Sequence, residues 1–281
     1  MMTTTPRDPL KYAGGKNSAA KRIISAFPPP HSYDRYVEPC GGAAHVLFQK
    51  DRYNHEEVYN DLSNNLYCFW NQLRDNADEL QQRLDNMLYS RAQYREWYPS
   101  LFDGTQLDPL ERAVRFFYCL RLTGTGWLRK SPVGINCEHS NVLSFRSAIE
   151  VFQAAKDRLK YVLIDNRDCI KTIERYDSPK TLLYCDPPYV EKEHYYQASW
   201  DGFDHVALAR ALNAATGYVA VSYYPHPEID KLYPSSRWRR MTWTQKKSSA
   251  LRLEDGDHHT GTATELLLMN YSPVRGGLFD E

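Results

Sequence analysis

The four consecutive residues Asp186-Pro187-Pro188-Tyr189 combine groups that few reactions require. They follow the apolar run 181–185, which predicts a buried strand. A carboxylate at the carboxyl end of a strand lies where open α/β sheets bind ligands. Prolines carry no N–H donor, so the quartet offers acceptors and an aromatic ring. Such a pocket suits an NH2 group on a flat ring, and the exocyclic amine of adenine or cytosine is the natural candidate. The alternative is a proline turn that only ends a strand.

A second candidate segment is the glycine-rich run Glu38-Pro39-Cys40-Gly41-Gly42-Ala43-Ala44. It is typical of a strand, a glycine turn and a helix, an arrangement that lets a ligand approach the backbone. The full G-x-G-x-x-G spacing is absent, so a plain tight turn is the alternative. Asp61 ends the next predicted strand and could accept hydrogen bonds from ribose hydroxyls.

A third candidate segment, Lys11-Tyr12-Ala13-Gly14-Gly15-Lys16, resembles a phosphate-binding loop only at first sight. Leu10 and Asn17 stand where that loop requires Gly and Ser or Thr. Without a phosphate to hold, a lysine beside glycines can receive a carboxylate. The amino-acid tail of a nucleoside would offer one.

The elements that must position these segments alternate between strands and helices at both ends of the chain. Strands are predicted at 36–37, 58–61, 161–164, 181–185, 218–221 and 265–269. Helices are predicted up to Ala26, after Asp61 with Leu62, Leu66, Phe69, Trp70 and Leu73 on one side, and at 76–98, 109–122, 147–159 and 207–212, the last with Asp204 as N-cap. Residues 123–146 lack a helical period and predict a loop or hairpin. The pattern indicates an α/β sheet interrupted by an inserted module.

The formal net charge of the 281-residue chain is zero, yet the basic residues are unevenly distributed. The stretches 112–137 and 237–253 are basic and contain no acid, which indicates one positive face, with two solvated loops as the alternative. Six cysteines form no C-x-x-C pair, as expected of reduced thiols in the cytosol. No apolar run approaches membrane-spanning length, so a soluble, cytoplasmic protein is expected.

In their order along the chain, Lys11–Lys16 comes first, the glycine-rich segment at Glu38 second and Asp186–Tyr189 third, with a long insertion before the third. In this order the three segments resemble the Dam-type DNA adenine-N6 methyltransferases (D12 class, alpha motif order). The resemblance covers most of the chain, including Phe203-Asp204-His205 and the closing run 265–271. It implies a Rossmann-like S-adenosylmethionine-dependent methyltransferase sheet with an inserted helical and hairpin target recognition domain. The catalytic domain would comprise 1–70 and 149–281, and the insertion 71–148. This chain departs from the family pattern at Cys40 (usually Phe), Ala44 (usually Gly) and Thr125-Gly126 (often Asn-Gly).

The resemblance also implies that S-adenosylmethionine binds across the carboxyl edge of the sheet and that an adenine flips out of double-stranded DNA. Asp186 and the Pro187 carbonyl would accept hydrogen bonds from the two N–H groups of the amine, and the base would stack on Tyr189 beside Pro188. Cofactor contacts are expected from Tyr12, Lys16, Glu38, Cys40, Gly41, Gly42, Asp61, Asp168, Cys169 and Asp186, with Asp168 and Cys169 bordering the cofactor adenine. DNA contacts are expected from Arg121, Arg129, Lys130, Asn136, Arg239, Lys246 and Lys247. We expect a monomer that requires no metal.

Three other functions are compatible with parts of this pattern. An N4-cytosine methyltransferase would act on a similar amine, although the order of the segments favours adenine. A methyltransferase acting on RNA or on a protein amine is less compatible, because an Asn in place of Asp186 would suit glutamine. A non-catalytic DNA-binding relative would be signalled by loss of Asp186 or Lys16, and both are present.

Overall fold

The computed structural model describes residues 9–12, 14–53, 55–123, 126, 141–191, 202–246 and 262–273. In these ranges one sheet contains seven strands, in the order β3-β2-β1-β4-β5-β7-β6. Strands β1 to β5 are parallel, and β7 runs antiparallel between β5 and β6. The strands are β1 Arg35–Glu38, β2 Glu56–Asn60, β3 Val162–Asp165, β4 Thr181–Cys185, β5 Tyr218–Tyr223, β6 Arg239–Lys246 and β7 Thr262–Met269. The predicted Rossmann-like α/β sheet is confirmed.

Helices cover both faces of this sheet. Within the described ranges they are α1 Ala20–Ser25, α2 His45–Gln49, α3 Asn64–Asp75, α4 Ala77–Asp85, α5 Arg91–Trp97, α6 Pro109–Leu122, α7 Asn141–Ile149, α8 Phe152–Leu159, α9 Cys169–Tyr176, α10 His205–Ala214 and α11 Pro227–Leu232. Short 3₁₀ helices lie at Pro30–Ser32 and Pro99–Leu101. The N-cap predicted for α10 is confirmed, because the Asp204 carboxylate accepts from the Ala207 N–H at 2.8 Å.

Strand residues alternate between two buried clusters, one on each face. Helices α1 to α8 pack on the face that includes Tyr36, Tyr59, Leu182, Ala220 and Leu267. Helices α9 to α11 pack on the face that includes Val37, Val58, Leu183, Val219 and Leu268. Helices α4 to α7, from the predicted insertion, therefore share a core with the helices α3 and α8 that cover the sheet. The division at 70 and 148 stays a prediction.

Several details of the predicted elements were wrong. Strand β6 was not predicted, because its charged ends obscure the period of two. Residues 141–146 belong to helix α7 rather than to a loop. The single helix expected at 76–98 is two helices, separated at Ser90, whose hydroxyl accepts from the Gln93 N–H at the start of α5. Leu62 precedes α3 and is 36% exposed, whereas the other four apolar residues of that pattern are fully buried.

The chain order creates a switch point between β1 and β4. From β1 the chain moves outward through β2 to β3, and it then returns to β4 on the other side of β1. Connections leave β1 and β4 in opposite directions, which opens a crevice at their carboxyl ends. Glu38 ends β1 and Asp186 follows β4, so both predicted carboxylates lie at this crevice.

Candidate active site

The crevice is a cavity whose empty space is about 560 Å³, including the open solvent at its mouth. All three predicted segments contribute to it. Its lining consists of Tyr12, Gly14, Gly15, Lys16, Glu38, Cys40, Gly41, Gly42, Ala43, His45, Val46, Asp61, Tyr184, Asp186 and Pro188. The structure thus brings together eight of the ten residues expected to contact the cofactor.

The turn after β1 brings its backbone to the cavity wall. The Gly41 N–H donates to the Asn60 carbonyl at 2.8 Å, and a Cβ on Gly41 would lie 2.2 Å from the Tyr59 ring. Gly42 has a φ of +50° and Ala44 a φ of +56°, both in the left-handed region. Side chains are disfavoured in that region, so the glycine usual in the family at position 44 suits this backbone better than alanine does.

Asp61 is held where β2 ends. Its carboxylate accepts from the Gly42 N–H at 3.0 Å and from the Ser63 N–H at 2.8 Å. Burial raises the pKa of Asp61 to about 6, although these two hydrogen bonds favour the charged form. The residue therefore couples the glycine turn to the end of the neighbouring strand and presents a carboxylate to the cavity.

Glu38 is a second buried carboxylate in the lining. It is 2% exposed and accepts from the Tyr36 hydroxyl at 2.6 Å. Burial raises the pKa of Glu38 to about 8, against the opposing effect of that hydrogen bond. At neutral pH the side chain is therefore mostly protonated, and a cation in the cavity would favour its ionisation.

Lys16 forms an ion pair with Asp186. The ammonium Nζ lies 3.0 Å from Asp186 Oδ1, donates to the Gly14 carbonyl at 2.9 Å, and lies 4.8 Å from the centroid of the Tyr189 ring. Burial opposes the charge on Lys16, but the carboxylates of Asp186 and Glu265 outweigh it and raise its pKa. Burial raises the pKa of Asp186, and Lys16 counteracts that effect. Lys16 thus has a carboxylate partner within the chain, and its contact with the carboxylate of a ligand stays a prediction.

Tyr189 is packed into the protein rather than projecting into the cavity. Its ring is 6% exposed, with the Tyr224 ring edge-on at 4.5 Å between centroids. Its hydroxyl donates to Glu265 Oε2 at 2.8 Å. The sequence did not identify Glu265 as a site residue, although the run that begins with it was part of the resemblance. Stacking of a flipped base on Tyr189 stays a prediction, and it requires more of the ring to be accessible than in this structure.

Asp168 and Cys169 do not line the cavity. Asp168 is the N-cap of α9 and accepts from the Ile170 N–H at 2.9 Å and the Lys171 N–H at 3.2 Å. Cys169 lies behind the lining, where its hydrogen bond with Cys40, together with burial, raises the pKa of the Cys40 thiol. Their contact with a cofactor adenine stays a prediction.

The residues expected to contact DNA have different environments. Arg121 Nη2 donates to the carbonyl and hydroxyl of Ser144 at 2.6 and 2.7 Å, which ties α6 to α7. Arg239 is exposed at the start of β6, and Lys246 is the last residue of that strand. The remaining four predicted contacts, Arg129, Lys130, Asn136 and Lys247, lie outside the described residues.

Other arginines of the two basic stretches are held by partners within the protein. Arg112 donates to Asn65 Oδ1 at 3.0 Å, and Arg115 forms an ion pair with Glu111 at 2.5 Å. Arg240 forms an ion pair with Asp230. The absence of acids within each stretch therefore overstated the free positive charge, because Glu111 and Asp230, which pair with Arg115 and Arg240, lie just outside the stretches.

The chain is similar in sequence to a family of DNA methyltransferases. The family model of the D12 class N6 adenine-specific DNA methyltransferases matches residues 12–248. The type II methyltransferase M1.LlaDCHI of Lactococcus lactis subsp. cremoris is 23% identical over 295 residues, covering 93% of this chain and 94% of that protein. The crystal structure of a putative RNA methyltransferase from Pyrococcus horikoshii aligns with a TM-score of 0.27 and 12% identity, covering 71% of this chain and 99% of that one.

Some types of site and segment are absent from the part of the chain that the structure describes. No group of His, Cys, Asp and Glu residues in it is arranged to hold a metal ion. Within the same residues, no helix is long and apolar enough to cross a membrane. The five described cysteines are free thiols.

Proposed function

The chain belongs to the D12 class of N6 adenine-specific DNA methyltransferases, and from that premise we propose that its cavity binds S-adenosylmethionine next to the target adenine, with Asp186 between them. The protein is a site-specific DNA adenine methyltransferase, and DNA is its substrate. One observation carries the assignment of the site. The carboxylate of Asp186 borders the cavity at the switch point and is held in place by Lys16.

The donor set of the cavity fits this cofactor. Three acidic side chains, those of Glu38, Asp61 and Asp186, line it beside Lys16, whose ammonium is already paired with Asp186. This arrangement favours a ligand with cationic groups and hydroxyls and disfavours a phosphate. Asp61 would hold the ribose hydroxyls, Glu38 would face a positive group, and the turn at Gly41 and Gly42 would let the ligand approach the backbone.

Asp186 performs the central step of the proposed mechanism. S-adenosylmethionine, when bound, supplies a methyl group on a positively charged sulfur. The Asp186 carboxylate and the Pro187 carbonyl accept hydrogen bonds from the N–H groups of the target amine. These hydrogen bonds direct the nitrogen lone pair toward the methyl group. As the amine is methylated, its nitrogen would gain positive charge, and Asp186 would stabilise that charge and accept the proton that the nitrogen loses. Lys16 fixes the orientation of that carboxylate.

DNA binding would combine base flipping with phosphate contacts. An adenine stacked in a duplex cannot reach Asp186, so it must flip out, at a cost of a few kcal/mol. Among the described residues, Arg239 is the predicted contact best placed for a phosphate, since it is exposed and none of them holds its guanidinium. The predicted contact of Arg121 with a base edge would require release from Ser144.

The test is the substitution Asp186→Asn, which keeps the shape of the side chain and removes its charge. We expect methyl transfer to duplex DNA to fall by about 10²–10⁴-fold, the usual range for loss of a positioned acid–base group. Asp204→Asn is a matched control, because Asn caps a helix as well as Asp does. Transfer is measured with a labelled methyl group and the product by mass spectrometry. Near wild-type turnover of Asp186→Asn, or N4-methylcytosine as the product, would overturn the assignment.

A further inference from the structure

Glu265 is a carboxylate at a strand position that otherwise faces the core. It lies on β7 and is 1% exposed, and the residues two and four positions further on, Leu267 and Met269, are buried in the core on one face of the sheet. Burying a carboxylate is costly unless it is paired and hydrogen-bonded. The partners of Glu265 therefore indicate why an acid occupies this position.

Those partners connect Glu265 to the proposed reaction centre. One carboxylate oxygen accepts from the Tyr189 hydroxyl at 2.8 Å, and the other accepts from Gln245 Nε2 at 2.7 Å. The Lys16 ammonium lies over the ring of the same Tyr189, at 4.8 Å from its centroid, and 3.0 Å from Asp186. A continuous buried path thus leads from Glu265 through Tyr189 and Lys16 to Asp186.

The charges along this path do not cancel. Lys16 contributes one positive charge, and Asp186 and Glu265 contribute one negative charge each when ionised. Burial raises the pKa of Glu265, while Lys16 lowers it and the Asp186 carboxylate raises it further, so the three groups interact electrostatically. The network carries an excess negative charge only when both acids are ionised.

We propose that Glu265 is a positioning residue for methyl transfer: it fixes Tyr189 and shares the charge of Lys16, so that Asp186 keeps negative charge toward the target amine. This inference rests on the proposed function. In the proposed reaction, positive charge would shift onto the target nitrogen, which would then lose its proton to Asp186. A network with an excess negative charge stabilises that shift more than a neutral one does.

The experiment removes the charge of Glu265 and retains the shape of its side chain. In Glu265→Gln the amide oxygen can still accept from the Tyr189 hydroxyl, but Lys16 then has Asp186 as its remaining counter-charge in this network. We expect kcat to fall by about tenfold or more, within the range seen when one group of a preorganised electrostatic site is lost. We expect the KM values for DNA and cofactor to change by less than about threefold, because no proposed binding contact is removed. The melting temperature should stay the same or rise, since a buried charge is removed.

Two further variants separate positioning from a purely structural role. Glu111→Gln is the matched control, because Glu111 also pairs with arginines in the protein but lies on α6, outside the cavity lining. It should lower the melting temperature and leave kcat unchanged. Tyr189→Phe removes the hydroxyl that links Glu265 to the quartet. It should lower kcat, and the double variant with Glu265→Gln should fall by less than the product of the two single effects.

The outcomes distinguish the inference from the function on which it rests. Wild-type kcat in Glu265→Gln, or a fall in kcat that disappears when folded protein is compared at lower temperature, would overturn the positioning role. If Glu265→Gln keeps wild-type kcat while Asp186→Asn lacks activity in the same assay, only the inference on Glu265 is lost. If Asp186→Asn is active, the proposed function itself is wrong.

Discussion

The two halves of the Lys16–Asp186 ion pair should contribute unequally to stability. Lys16→Met leaves Asp186 and Glu265 buried without their common cation. Asp186→Asn leaves Lys16 with Glu265, so that the remaining charges balance. We therefore expect Lys16→Met to destabilise the protein far more than Asp186→Asn does, although each substitution removes the same ion pair.

The geometry sets the size of the difference. Coulomb's law with an effective dielectric constant of about 20 gives roughly 5 kcal/mol for charges that are 3.0 Å apart. Breaking a buried pair by removing one partner costs about 3–5 kcal/mol. The Asp186 side chain is 20% exposed, which places Lys16→Met near 3 kcal/mol, or roughly 6–12 °C in melting temperature. Asp186→Asn should cost about 1 kcal/mol.

The assay is urea unfolding followed by tryptophan fluorescence at pH 5 and pH 8. In Lys16→Met both acids lose the cation that favoured their charged forms, so their pKa values rise above those in the wild type. A raised folded-state pKa of an acid makes the folded protein bind more protons than the unfolded chain, so stability falls as the pH rises. The loss in Lys16→Met should therefore be larger at pH 8 than at pH 5. Equal losses for the two variants, or a loss independent of pH, would refute this account of the charges.

Two further predictions concern the cofactor. Affinity for S-adenosylmethionine should rise between pH 5.5 and pH 9 as Asp61 (pKa about 6) and Glu38 (pKa about 8) ionise, by at most about tenfold per pH unit for each group. S-adenosylhomocysteine lacks the sulfonium charge and should show a weaker dependence, so identical calorimetric pH profiles would contradict the assignment. Gly41→Ala should lower the melting temperature by the equivalent of about 1–3 kcal/mol and weaken cofactor binding. The added Cβ would lie 2.2 Å from the Tyr59 ring, so the ring would have to move. Retained stability and affinity in differential scanning fluorimetry would show that the turn can relax.

Much of the sheet could be predicted because its central strands are short apolar runs between turn residues. In β4 all five residues are buried, and runs of this kind are typical of parallel strands covered on both faces. Strand β6 begins with Arg239-Arg240 and ends with Lys246, and its pairing with β7 depends on a long-range contact. A sequence pattern that treats charge as a loop signal cannot identify such a strand, since the pairing that stabilises it is not local.

The position of the cavity could also be predicted, because parallel strands bring their carboxyl ends to one edge. Glu38, Asp61 and Asp186 each follow or end such a strand. Glu265 could not be found in this way. It lies inside an antiparallel strand, and its bond to Tyr189 joins residues 76 positions apart. Only the insertion of β7 between β5 and β6 brings that carboxylate beneath the quartet.

The basic stretch that contains β6 shows why charge counted along a sequence differs from charge presented to a ligand. Arg239 and Arg240 are neighbours, but successive residues of a strand face opposite sides. Arg240 pairs with Asp230 and donates to the Tyr233 carbonyl at 3.0 Å, so its charge is compensated within the fold. Arg239 is exposed and carries its charge to the surface. The net charge of zero is therefore compatible with DNA binding, because affinity for phosphates depends on the cations that remain unpaired at the surface and not on their total.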